Sequence, residues 1–308
     1  MNYLVTGGAG FIGSNIVEEL LRRGENVRVL DNFSTGKREN LAQFLDQIEL
    51  IEGDIRSYHI VREAVVGVDA ILHQAALPSV PRSIKDPITS NEVNVTGTLN
   101  ILNAAKDAKV KRVVFASSSS VYGDNPELPK HEGMVPNPLS PYAVSKLAGE
   151  KYCGVFARIY GLETVALRYF NVFGPRQDPN SQYSAVIPRF IIAMLNDKQP
   201  VIFGDGEQSR DFTFIANIVN ANILAATKEN ISSISINCAC HGRVTLNELV
   251  NKINKILQKN ISPIYQNERS GDIKHSFANI SAAEKYLGYK PTVDFDAGLK
   301  MTIDAYKY

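Results

Sequence analysis

The chain has no tryptophan, only three cysteines and only four methionines in 308 residues. Three thiols, Cys153, Cys238 and Cys240, are too few and odd in number for a disulfide framework. Cys238 and Cys240 stand as C-x-C, which lacks the C-x-x-C spacing of a zinc or redox pair. Buried free thiols in a reducing compartment are the expectation. Net charge is nearly absent too, since 33 basic and 32 acidic side chains leave +1. That removes the electrostatic argument for nucleic acid as a partner and for a charged tail. No run of about 18 or more apolar residues occurs, so no membrane span is expected. The first residues, MNYLVTGGAGFIG, lack the basic and apolar regions of a signal peptide, and a cytoplasmic location is expected. Asn-x-Ser/Thr triplets at Asn94, Asn230, Asn260 and Asn279 are then chance matches.

What is present is an ordinary soluble composition, 44% hydrophobic and 21% charged, which argues against disorder. Short apolar, β-branched runs predict strands at 3–6, 27–31, 48–54, 69–76, 112–120 and 164–174. Between them, helices are predicted at 12–22, weakly up to Leu45, at about 90–107, and from Tyr142 to a stop at Gly161. Strands alternating with helices at this spacing imply βαβ units and a parallel sheet. The fold class is therefore α/β, a Rossmann-like doubly wound parallel sheet. The pattern changes near Gly174. We expect a dinucleotide-binding domain over 1–174, with return segments near 210–237, and a smaller α+β substrate lobe over 175–308. Ligands of open α/β sheets bind at the carboxyl ends of strands. Gly7–Gly13, Asp31, Asp54, Gln74–Leu77, Ser117–Ser120 and Tyr169–Asn171 should then face one crevice.

Gly7, Gly10 and Gly13 lie between a predicted strand and helix. Glycine there lets backbone N–H groups approach a pyrophosphate, and the helix N-terminus favours the anion. Asp31 stands 18 residues after Gly13, near the interval of about 20 for an acid that binds the adenosine ribose. A carboxylate would repel a 2′-phosphate, so NAD is preferred to NADP. Lys37 and Arg38 keep the alternative open, unless they are a solvated helix start. Asp54 and Ile55 could flank the adenine. Tyr142 and Lys146 share one helical face at a spacing of four. A cationic lysine and a positive nicotinamide would favour phenolate in a tyrosine of ordinary pKa about 10. A hydroxyl from Ser117–Ser120 could hydrogen-bond the reacting oxygen.

GGAGFIG, Asp31, HQAA, the serine cluster and Tyr142-x-x-x-Lys146 resemble the extended short-chain dehydrogenase/reductase superfamily. LRYFNVFGPRQDPNS, VIPRF, FGDGEQSRDF, TLNEL and RSGDIKHS carry the resemblance across nearly the whole chain. Within it the chain is most similar to UDP-hexose 4-epimerases, and HQAALPSVPRSIKDPITSN to the branch acting on UDP-N-acetylglucosamine and UDP-N-acetylgalactosamine. The resemblance implies Tyr142 as base, Lys146 on the nicotinamide ribose and Ser118 at the sugar O4, with Ser119 and Ser120 beside it. It implies a cofactor site of Gly7, Gly10, Phe11, Ile12, Gly13, Asp31, Asn32, Ser34, Thr35, Gly36, Asp54, Ile55, Gln74, Ala75, Ala76, Leu77, Asn94, Tyr142, Lys146 and Tyr169. Asn171, Ala185, Val186 and Phe203 would hold the nucleotide. Arg210, Arg269 and Asp272 would contact the diphosphate and its ribose, with Arg243 helping. Ser276 matches a position that is a bulky tyrosine in epimerases restricted to non-acetylated sugars, so a serine would leave room for an N-acetyl group. Pro78 departs from the lysine that often follows HxAGL in bacterial galactose-type epimerases.

The resemblance implies C4 epimerisation of a UDP-hexose through a 4-keto intermediate, with tightly bound NAD, no metal, and a homodimer formed by a four-helix bundle. A 4,6-dehydratase would need an acid and a base beside the strand serine, where SSSSVYG offers serines only. A UDP-glucuronate epimerase or decarboxylase would need a cation for the C6 carboxylate, which Arg82 could supply. A catalytically silent NAD-binding sensor could dispense with the Tyr, Lys and Ser set retained here.

Overall fold

The computed structural model describes residues 1–179, 185–268 and 274–307. Its frame is a parallel sheet of β1 (Asn2–Thr6), β2 (Asn26–Asp31), β3 (Ile48–Glu52), β4 (Ala70–His73), β5 (Arg112–Ser118) and β6 (Glu163–Tyr169). The spatial order is β3-β2-β1-β4-β5-β6, and Ile234–Cys238 adds a seventh parallel strand beside β6. Side-chain alternation explains why these runs are apolar throughout. Val5, Leu72 and Val114 enter the core on one face, and Leu4, Ile71 and Val113 the core on the other. The first face is covered by α1 (Phe11–Arg22), through Ile16, Val17 and Leu20, and the second by α2 (Tyr58–Ala64) and α5 (Gly97–Asp107).

Most predicted elements are found, with shifted ends. The strand expected at 164–174 stops at Tyr169, and Asn171 takes φ +35°, which breaks the extended run before Val172–Phe173. The weak helix before Leu45 is two 3₁₀ segments, Arg38–Asn40 and Ala42–Gln47, which bury only Phe44. The helix expected at 90–107 is composite: α4 (Pro87–Asn91), a π turn over Glu92–Thr96, then α5. Before it, α3 (Val80–Lys85) was not anticipated. The long α6 (Pro141–Tyr160) begins with Ser140 capping the Ala143 N–H at 3.2 Å and ends at Gly161 with φ +71°.

After residue 175 come α7 (Val186–Leu195) and α8 (Ile215–Thr227), the latter lying on β4, β5 and β6. Short strands complete this part. Ser209–Arg210 pairs antiparallel with Val244–Thr245 and parallel with His275–Ser276. The sheet reverses its winding between β1 and β4, where Thr6 and His73 are in register. A crevice at that point is the expected place for a ligand.

Candidate active site

The crevice is a cleft of about 720 Å³ over the ends of β1, β2, β4 and β5. At its floor Gly7 takes φ +70°, and a Cβ there would stand 2.7 Å from the Ala75 nitrogen. A Cβ on Gly13 would overlap the Gly7 carbonyl oxygen and lie 2.8 Å from the Gly8 Cα. Glycine is therefore required at both positions. Gly10 is the N-cap of α1, and the first turn of α1 contains no acid. Its N–H groups and positive dipole end face the cleft through Gly10, Phe11, Ile12 and Gly13, as an anion site requires.

Asp31 is buried, and its carboxylate accepts from the Ala9 N–H at 2.9 Å and the Phe33 N–H at 2.8 Å. Burial raises its pKa despite those bonds. Asp31 thus shapes the glycine loop as well as lining the cleft. Asn32 donates to Asp54 at 2.9 Å, and Asp54 also pairs with Arg56 at 2.8 Å, which holds its carboxyl below the usual range. Ser34, Thr35, Gly36 and Ile55 line the same end. The two cations that kept NADP open are both in ion pairs, Lys37 with an acid that lines the cleft as it does. Lys37 pairs with Asp178 at 3.2 Å, while Arg38 pairs with Glu52 at 2.6 Å and stacks on Phe33.

At the other end Gln74, Ala75, Ala76 and Leu77 line the cleft. Asn94, expected against the cofactor, instead lies buried behind them. Its side chain accepts from the Leu77 N–H at 2.7 Å and donates to the Leu77 carbonyl at 3.1 Å, so it acts through the loop. Tyr169 donates to Gln74 at 3.1 Å and also meets Asn222 of α8, which in turn accepts from Gln74 at 3.0 Å. Asn222 was missed in the sequence. It is one of three asparagines in the run IANIVNANILAAT, and nothing local sets it apart from Asn217 and Asn220.

Tyr142 and Lys146 occupy the first two turns of α6 and both line the cleft. Lys146 is buried, donates to the Ala116 carbonyl at 2.8 Å, and lies 5.8 Å from the centre of the Tyr142 ring. Burial pulls its pKa down to about 8. The expected phenolate called for Lys146 together with a positive nicotinamide; the protein groups by themselves do not lower the phenol's pKa. Burial raises the phenol's pKa, and the hydrogen bond with Ser118 only partly opposes that. Of the serine cluster, Ser117 lines the cleft, and its hydroxyl is bound to Glu150. Ser118 accepts from the Ser120 N–H at 3.2 Å, and the Ser120 hydroxyl is buried without a partner. Ser119 opens the same 3₁₀ turn, Ser119–Tyr122. One turn beyond Lys146, Glu150 receives Arg168 of β6 in a bidentate pair at 2.8 and 2.7 Å, fixing α6 against β5 and β6.

A second cavity of about 290 Å³ is lined by Asn171, Ala185, Val186, Phe203 and Arg210, and it shares Ala185 with the cleft. Arg243 stands outside this lining and donates to the Ser209 hydroxyl at 3.2 Å. Ser276 also lies outside it, paired in register with Arg210. Burial, then Arg243, Lys274 and Arg210, lower the pKa of His275, so this edge is electropositive. Arg269 and Asp272 lie outside the described residues. Among the described residues no cluster of three or more His, Cys, Asp or Glu could hold a metal, and no helix is long and apolar enough to cross a membrane.

The family model described as the NAD dependent epimerase/dehydratase family matches residues 3–239. The chain belongs to this family. It is an NAD-dependent enzyme, and the glycine cradle, the helix N-terminus and Asp31 fit that cofactor. The chain is similar to the UDP-glucose 4-epimerase of Mycolicibacterium smegmatis, with 36% identity over 100% of this chain and 99% of that one. Among solved structures it is similar to the UDP-N-acetylglucosamine 4-epimerase of Methanobrevibacter ruminantium in complex with UDP-N-acetylmuramic acid. The identity is 44%, the coverage 99% and 98%, and the TM-score 0.95. It is also similar to the UDP-glucuronic acid 4-epimerase of Bacillus cereus in complex with UDP-glucuronic acid and NAD, with 33% identity, coverage of 100% and 99%, and a TM-score of 0.91.

The glycine loop makes a direct prediction. Denatured parent protein should release NAD, and Gly13→Ala should be purified without it. Release of NADP from the parent would contradict the reading of Asp31. Parental NAD content in Gly13→Ala would show that the loop does not hold the cofactor.

Proposed function

We propose that the protein interconverts the C4 epimers of a UDP-hexose, with UDP-N-acetylglucosamine and UDP-N-acetylgalactosamine as the preferred pair. The observation that carries the reading is the placement of Tyr142 and Lys146, on one face of α6, in the same cleft as the glycine turn and Ser117, with the Lys146 ammonium 5.8 Å from the centre of the phenol ring. The relatives named above act on UDP-sugars, and the second cavity supplies an apolar slot and an arginine for a nucleoside diphosphate. NAD, held by the glycine turn, the N-terminus of α1 and Asp31, would supply hydride acceptance and return at the sugar carbon. Tyr142 takes the O4 proton and gives it back. Ser118 orients the phenol and offers a hydroxyl to the same oxygen. Lys146 donates to the Ala116 carbonyl, lines the cleft beside Tyr142 and takes the nicotinamide-ribose role that the resemblance implies. Firm hold on the UDP by Asn171, Val186, Phe203 and Arg210, helped by Arg243, leaves the sugar free to turn; Arg269 and Asp272, which the resemblance assigns to the diphosphate and its ribose, lie outside the described residues.

The preference for acetylated sugars rests on Ser276. It is paired in register with Arg210, and it stands where epimerases restricted to non-acetylated sugars carry a bulky tyrosine that would fill the space for an N-acetyl group. A second reading, UDP-glucuronate, is supported by Arg82, which lines the cleft together with Tyr142. A second copy of the chain is the proposed partner. Exposed apolar side chains gather where α3, α4 and α6 adjoin, with Ile84 at 63%, Ile88 at 72% and Val144 at 52% exposure. Such a cluster is what a four-helix interface would cover.

Separate incubation with UDP-glucose, UDP-N-acetylglucosamine and UDP-glucuronate, followed by separation of products, tests the activity. UDP-N-acetylgalactosamine should form at the highest kcat/KM. Conversion of UDP-glucuronate alone would replace this reading with the second one. Ser276→Tyr should lower kcat/KM for UDP-N-acetylglucosamine relative to UDP-glucose by about tenfold or more, because a filled pocket cannot expand without moving packed neighbours. An unchanged ratio would remove Ser276 from the pocket.

A further inference from the structure

His73 is a buried histidine at the end of β4 that touches neither cavity. Its two ring nitrogens are both in use. Nδ1 lies 2.7 Å from the Thr6 hydroxyl and Nε2 lies 3.0 Å from the Thr98 hydroxyl. Thr98 stands 2.6 Å from the Asn94 carbonyl oxygen, which can only accept. The one hydroxyl hydrogen of Thr98 therefore goes to Asn94, and Thr98 must accept from His73. That fixes the tautomer with hydrogen on Nε2. Nδ1 then accepts from Thr6, and Thr6 accepts from the Ala75 N–H at 3.2 Å. Every hydrogen has one place, and the chain runs in one direction from Ala75 to Asn94.

Both ends of this chain reach the reacting part of the cleft. Ala75 lines it directly. Asn94 clamps Leu77 and donates at 3.1 Å to the Ser145 hydroxyl, which donates at 2.7 Å to the Tyr142 carbonyl. The Tyr142 N–H is held in turn by Ser83 at 3.0 Å. Burial, with the nearby Lys146 charge, lowers the His73 pKa to about 3 and keeps the ring neutral. A protonated ring would make Nδ1 a donor, take away the acceptor of the Thr6 hydroxyl hydrogen and place a second cation beside Lys146.

We propose that His73 and Thr98 are positioning residues: their one-way hydrogen-bond chain sets the distance between the cofactor-facing segment 75–77 and the first turn of α6, and so the alignment of Tyr142 with the sugar. The proposal rests on Tyr142 being the proton-transfer group. Misplacement by a fraction of an ångström acts on kcat rather than on nucleotide binding, because the UDP contacts lie in the other cavity.

The test uses the NAD-loaded full chain with UDP-N-acetylglucosamine. Thr98→Val keeps the shape and removes the hydroxyl, and Thr98→Ser keeps the hydroxyl. Thr98→Val should lower kcat by about tenfold with KM within about twofold and parental NAD content, and Thr98→Ser should recover most of the loss. Parental kcat in Thr98→Val overturns the proposal. So does a Ser variant no better than Val, or a loss that only tracks the fraction of folded, NAD-loaded protein. If Thr98→Val does not fold, Thr6→Val breaks the same chain at its other end and carries the same expectations. Tyr142→Phe, run in parallel, should lose about 10²–10⁴-fold in kcat. Parental activity there would instead sink the assignment of Tyr142, independently of the result at Thr98.

Discussion

A lysine ammonium held away from water, against a backbone carbonyl, is the constraint around which the site is arranged. Lys146 can sit there only because β5 delivers the Ala116 carbonyl to it and α6 starts at the right height above the sheet. Burying a cation is costly, and the lowered pKa records that cost. The geometry has to be enforced by other contacts. Ser140 and Pro141 set where α6 begins, and the Glu150–Arg168 pair sets how it lies on β5 and β6. A buried ion pair of this kind is weak as a source of net stability. Its observable effect here is geometric, because Glu150 also binds the hydroxyl of Ser117, which lines the cleft with Tyr142.

The same constraint explains the division of labour in the cleft. One end is built from backbone: the glycine turn, the open N-terminus of α1, and Asp31 tying Ala9 to Phe33. That end needs no side-chain cation because the helix supplies positive potential. The other end is built from side chains on α6, β5 and the 74–77 loop, each held from behind by Asn94, Asn222 or Glu150. The pocket proposed for the nucleotide lies beyond Ala185, and near it burial, then the positive charge of Arg243, Lys274 and Arg210, lowers the pKa of His275. Binding at a charged edge and reaction in a desolvated cleft are thus kept apart, as expected of a site that must grip a nucleotide and release a sugar ring to turn.

Much of this was legible in the amino-acid order. The six early strands and α1 announce themselves by runs of β-branched residues and by a helical stripe ending at Gly24. Gly7, Gly10, Gly13, Asp31, Tyr142 and Lys146 are spaced by what a strand, a turn and a helix impose. Other features had no local signature. The strand Ile234–Cys238 is recognisable as part of the main sheet only once β6, far earlier in the chain, is beside it. His73, Thr98 and Asn222 carry no local mark that separates them from their neighbours, and His73 and Asn222 find their partners on other elements. The π turn at Glu92–Thr96 shifts Asn94 off the helical period and turns it behind the loop. The raised phenol pKa depends on burial, which spacing does not report.

The central claim is that a hydrogen leaves C4 of the sugar and returns to the same carbon within one closed site. The most direct measurement is the fate of deuterium placed at C4 of UDP-N-acetylglucosamine and incubated with the enzyme in ordinary water. The account predicts UDP-N-acetylgalactosamine that retains the deuterium at C4. Epimerised product that has exchanged it for solvent hydrogen would contradict the account.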